Sequence, residues 1–152
     1  MRISMSRCTG QEALDVACEW MKHSNNAELI IQSYEIREGF RFLLLTAGFD
    51  LCYYHELELE FQEVSHIDLP TRFEGQRVRR ATPEERAAFH QTVGIDDEDT
   101  LFVFEARNVW PGPDTGLFHV VAQEVTATSG LVFHYLRENL KEGESIAPWV
   151  LK

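Results

Sequence analysis

Three glutamates, Glu56, Glu58 and Glu60, occupy alternate positions in the stretch LCYYHELELEFQ, residues 51–62. On an extended chain, alternate side chains point the same way about 6–7 Å apart. At that spacing one carboxylate can serve as general acid and another as base. The same row also suits an exposed strand that must not pair with other strands, or a surface that meets a basic partner. His55 falls among the intervening residues, in phase with Leu57, Leu59 and Phe61. An imidazole on the apolar side of a strand is a general base or ligand in some proteins. More commonly it is a core histidine whose ring nitrogens find partners nearby.

Arginine collects in one region, as Arg72, Arg77, Arg79, Arg80 and Arg86. Guanidinium groups in a cluster hold a phosphate or carboxylate bidentately, but arginines on one strand also pair with glutamates on the next. Trp110 opens the segment WPGPDTG, whose two prolines and two glycines forbid regular structure and set an aromatic ring on a loop suited to recognition. Asp96, Asp97, Glu98 and Asp99 form an acidic turn without the spacing or glycine of a calcium loop. His66 and Asp68 make an H-x-D pair, and His119 and His134 lie on later strands, yet no H-x-x-x-H or H-E-x-x-H spacing occurs. Cys52 has glutamates for neighbours, which oppose a thiolate, and Cys18 belongs to the apolar stripe of a helix. Nucleophile elbow, phosphate-binding glycine loop and dinucleotide fingerprint are all missing from the sequence. No cofactor, metal or catalytic residue is expected. The candidate ligand-binding residues are Arg72, Arg77, Arg79, Arg80, His55 and Trp110. The candidate partner-binding residues are Glu56, Glu58, Glu60 and Asp96, Asp97, Glu98, Asp99.

These residues need elements to position them. Thr9-Gly10-Gln11-Glu12 reads as a capping box opening a helix to about residue 24. Leu14, Ala17, Cys18 and Met21 make its apolar stripe, widened by Ala13, Val16 and Trp20, and a sheet must cover it. Residues 28–36 and 40–46 read as a hairpin joined through Arg37-Glu38-Gly39, the second strand being apolar enough to be central. Residues 51–62 alternate as a half-buried strand, with the glutamates outside and a bulge near Gln62-Glu63. A short arginine-rich strand over 76–81 leads to a second capping box, Thr82-Pro83-Glu84-Glu85, and a brief helix to about Val93. Strands follow over 100–109 and 118–127, with Thr128-Ser129-Gly130 as a turn. Residues 131–140 read as a strand followed by one helical turn, and the tail from 143 packs by Trp149.

The expected architecture is α+β: a mostly antiparallel sheet of six or seven strands, an N-terminal amphipathic helix on one face and a second short helix. With 152 residues and no linker, residues 1–152 form a single globular domain on this reading. The net charge of −11 disfavours nucleic acid and suits a basic partner. Three cysteines without a C-x-x-C pair argue against a disulfide framework, no run approaches a membrane span, and the N-terminus lacks the apolar core of a secretory signal. A cytoplasmic protein is the default. The leading functional expectation is a non-enzymatic acidic interaction module, an inhibitor or immunity-type partner of a basic protein. The alternative is a small-molecule binding protein or enzyme with an anion pocket at the sheet end. A homodimer joined through sheet edges is a third arrangement.

Overall fold

A computed structural model describes residues 6–24, 28–107, 109 and 114–151. Its class is α+β, with a mostly antiparallel sheet, but the sheet has ten strands among the described residues instead of six or seven. The chain runs β1 (Ser6–Thr9), α1 (Gly10–His23), β2 (Glu28–Arg37), β3 (Phe40–Gly48), β4 (Tyr54–Gln62), β5 (His66–Asp68) and β6 (Arg72–Arg80). It continues with α2 (Pro83–Thr92), β7 (Thr100–Arg107), β8 (Thr115–Ala122), β9 (Glu124–Phe133) and β10 (Glu144–Ile146), then a 3₁₀ turn, Pro148–Val150. The spatial order is β1-β9-β4-β3-β2-β6-β7-β8-β5, and β10 joins β9 in parallel.

The sheet curls. Phe61 of β4 packs at 5.1 Å from Phe102 and 5.9 Å from Phe104, both of β7. Those strands stand four places apart, which in a flat sheet is about 19 Å. The curl closes where Gln123 donates its backbone N–H to Gln62 O and Ser65 donates to Val121 O. Helix α1 lies in the concavity against β1, β4, β6 and β9 and buries Ala13, Leu14, Ala17 and Met21. These residues follow the stripe read from the sequence. Gly75 of β6 makes the close approach possible, since a Cβ there would stand 2.8 Å from Leu29 Cδ1 and 3.2 Å from Met21 Sδ.

The hairpin β2–β3 forms as expected, with Glu38 (φ 53°) and Gly39 (φ 84°) both left-handed in its two-residue turn. The capping box of α2 is complete: Thr82 Oγ1 accepts from Glu85 N, and Glu85 Oε1 accepts from Thr82 N. That of α1 is not. Thr9 makes no side-chain cap, because its backbone belongs to β1 and pairs with Thr126.

Four other expectations need correction. The stretch expected as one strand over 118–127 is divided between β8 and β9 at Gln123. The Thr128-Ser129-Gly130 turn is instead the middle of β9, flanked by β1 and β4. Residues after Phe133 form neither a strand nor a helical turn until β10.

The fourth correction concerns β4, which starts at Tyr54, since residues 50–53 turn through hydrogen bonds from Tyr53 N and Tyr54 N to Asp50 O. Its register against β9 then slips. His55 faces Val132 and Leu57 faces Ser129, so Gly130 and Leu131 stand opposite Glu56 alone. Gly130 takes φ 149°, a conformation open to glycine. The slip reverses the alternation. His55 meets Glu58 at 2.8 Å, a contact that an unbroken strand would place on opposite faces, while Glu56 turns to Trp20 of α1. The expected row of three glutamates is therefore broken, and His55 leaves the phase of Leu57, Leu59 and Phe61.

Candidate functional site

The slip in β4 creates a histidine chain and an aromatic cleft. In the chain, His134 Nδ1 lies 2.9 Å from Leu51 O, His134 Nε2 lies 2.8 Å from His55 Nδ1, and His55 Nε2 lies 2.8 Å from Glu58 Oε2. A carbonyl only accepts, so His134 Nδ1 donates to Leu51 and its neutral ring offers Nε2 as acceptor. His55 Nδ1 donates to it. The last contact needs one proton, carried by the imidazole or by the carboxyl, and either way the His55–Glu58 pair is neutral overall. Burial, with the neighbouring His55 adding to it, holds the pKa of His134 below the ordinary histidine value, against the opposing pull of the Leu51 carbonyl. His134 thus stays neutral near pH 7, as its accepting role requires. Trp149 covers the pair, nearly parallel to His55 at 6.2 Å and 5.4 Å from His134. With all four ring nitrogens engaged and His55 fully buried, the chain pins the Leu51 turn and the end of β9 to β4.

On the other side of the slip lies a cleft of about 760 Å³. Trp20 comes from α1, Tyr54 and Glu56 from β4, Leu131 and Phe133 from β9, Glu144 from β10, and Tyr53, Tyr135 and Arg137 from the flanking loops. Trp20 Nε1 donates to Glu56 Oε2 at 3.4 Å. Tyr135 packs 5.6 Å from Phe133 and edge-on to Tyr53 at 6.5 Å. The Arg137 guanidinium lies 4.3 Å from the centre of the Phe133 ring and donates to the Tyr135 hydroxyl at 3.0 Å. Burial raises the pKa of Tyr54, and the charges of Glu56 and Asp50 raise it further, which marks this wall as electronegative. Aromatic faces beside carboxylates make an environment for a cation.

The sequence candidates do not converge here. Arg72 pairs with Glu28 across β6 and β2. Arg79 binds Glu85 and Glu105, and Arg77 stands 3.9 Å from Glu105. The hydrogen bonds from Arg79 hold the Glu85 carboxyl down to about 2. Arg80 reaches Gln11 on α1, and Arg86 donates to the carbonyls of Asp96 and Asp99. Arg72, Arg77 and Arg79 do pair with glutamates, but apart from the 56–60 row, where Arg37 holds Glu60 at 3.0 Å. Of the acidic turn, Asp96, Asp97 and Glu98 are exposed, and Asp99 accepts from Ser65 Oγ. Neither His55 nor Arg72, Arg77, Arg79 or Arg80 lines the cleft. Trp110 lies outside the described residues.

Asp68 and His119 approach at 3.4 Å beside Phe89, but no group of three or more His, Cys, Asp or Glu among the described residues is placed to hold a metal. No described helix is long and apolar enough to cross a membrane. Sequence reasoning missed Tyr53, Tyr54, Phe133, Tyr135, Arg137 and Glu144 as site residues and assigned Trp20 to the helix stripe. Tyr53, Tyr54, Phe133 and Tyr135 carry the one sequence signal, aromatic residues clustered in two stretches, 53–54 and 133–135. Comparison of the chain with protein-family models, with curated proteins and with solved structures finds no match.

Proposed function

We propose that this protein is a small acidic interaction module, an inhibitor or immunity-type partner of a basic protein, and that its aromatic cleft receives a cationic side chain of that partner. The observation that carries the reading is the cleft itself, in which Glu56 and Glu144 stand among Trp20, Tyr54, Phe133 and Tyr135. A cation over an aromatic face gains about 0.5–2 kcal/mol, more as water leaves. The net charge of −11 steers a basic partner toward it over longer range. The enzymatic alternative draws less support, because the buried histidine chain has no ring nitrogen left for a substrate and Arg72 and Arg79 already hold carboxylates.

Calorimetric titration with short lysine-rich and arginine-rich peptides, against a glutamate-rich control, tests the reading. Saturable binding that weakens with salt, and weakens about tenfold in Glu56→Gln, is expected for the basic peptides. Absence of binding by every basic peptide, or equal binding by the acidic control, defeats it.

A further inference from the structure

The cleft already holds a cation, and it is one of the protein's own. Arg137 follows β9 in a stretch without helix or strand, where its backbone is exposed and no ladder constrains it. Its guanidinium nevertheless rests 4.3 Å from the centre of the Phe133 ring and donates sideways to the Tyr135 hydroxyl at 3.0 Å. A guanidinium suits such a pair of contacts, since it has a flat face for an aromatic ring and N–H groups that donate in the plane of that face. An ammonium has no such face and gives up its water less readily. Glu56 and Glu144 line the same cleft, so among the described residues its carboxylates outnumber its cations.

We infer that the cleft is selective for an arginine side chain of the basic partner over a lysine, and that Arg137 is the resident occupant such an arginine displaces. The inference rests on the reading that the cleft takes a cation. Displacement exchanges one guanidinium for another on the Phe133–Tyr135 wall, so that wall contributes little net affinity while Arg137 competes. The surplus comes from Glu56 and Glu144 and from the rest of the cleft, including Trp20. Removing Arg137 should therefore tighten binding, the reverse of what loss of a contact residue does. Arg137 is exposed and lies outside helix and strand, so its truncation uncovers the Phe133 ring without removing a buried side chain.

The experiment is calorimetry on the full chain and on Arg137→Ala, using three peptides identical except for a central arginine, lysine or citrulline. Citrulline keeps the planar shape and loses the charge. The expected order is arginine tighter than lysine by about tenfold, with citrulline weakest. Arg137→Ala should bind the arginine peptide several-fold more tightly than the unaltered chain. Far-ultraviolet circular dichroism of the variant confirms that the fold is retained. Equal affinity for arginine and lysine, or weaker arginine binding by Arg137→Ala, overturns the inference and leaves the cation reading standing. Failure of both basic peptides on both proteins removes the cation reading itself. Free arginine binding as tightly as the peptide assigns the cleft to a small molecule and overturns the choice of a protein partner.

Discussion

Glu58 is 8% exposed, and a carboxylate is tolerated there because His55 faces it and one proton sits between them. Breaking a buried pair by removing one member costs about 3–5 kcal/mol, since the other is left without compensation. His55→Leu is accordingly expected to destabilise the fold by about that amount in urea denaturation at neutral pH. An unchanged midpoint would show that the pair is not buried in solution. His134 gives a second expectation. Its folded pKa lies below the unfolded value of 6.5, so the unfolded chain binds the proton more readily. Its contribution to stability is whole above about pH 6.5 and declines as pH falls from there until the folded chain also takes the proton. The variant His134→Gln should lose less stability across that window than the unaltered chain when urea midpoints are compared. Parallel curves would deny the depressed pKa. The sequence pointed to His55 as a partly buried histidine, but its partner is 79 positions away in the chain. No local pattern carries that pairing.

At the scale of elements, the strong local signals were legible. The hairpin turn at Glu38-Gly39, the box at Thr82 and the stripe of α1 are where expected, because each rests on residues within a few positions of one another. Boundaries failed where tertiary pairing overrode local preference. Thr128 and Ser129 resemble turn residues, yet β1 and β4 hold them in β9 from both sides. The alternation of β4 was read as unbroken because the slip at Glu56 depends on Gly130 across the ladder. The cleft was illegible for the same reason. It exists only because the slip brings Tyr54 and Glu56 to the side of Trp20.

Another element-level feature carries an expectation of its own. Among the described residues, strand β2 pairs with β6 over Glu28, Leu29 and Ile30, and beyond the irregularity at Gln32 it pairs with β3 alone. Tyr34 and Ile36 on that stretch are 48% and 65% exposed, and Phe40 beside them 53%. An uncovered edge with apolar side chains invites another strand. Two-fold pairing centred on Ile36 would set Glu35 of each copy opposite Arg37 of the other, a favourable cross-strand pair. Sedimentation velocity over a concentration series should show reversible self-association that Ile36→Lys reduces. A monomer at every concentration would remove the edge as an interface.

Taken whole, the molecule is an acidic curled sheet closed over one helix, with its cleft at the seam where the first helix, the middle strand and the last strands meet. Hairpins join many of its strands, but the pairings that assemble those hairpins span much of the chain. Ser6 stands opposite Ser129, and β4 takes its full length of partners from β9, while α1 docks on strands from both halves of the chain. Such a pattern sets the clock of folding. The entropy of closing these long loops must be spent before the contacts return anything, which places sheets of this kind in the millisecond-to-second range. Stopped-flow refolding is expected in that range. Phe61, which must find Phe102 and Phe104 across the curl, is the residue whose truncation should slow refolding most. Until α1, β4 and β9 come together, the cleft has no walls, since its lining runs from Trp20 to Glu144. A newly made chain would acquire its fold and its capacity to bind a partner in a single late step.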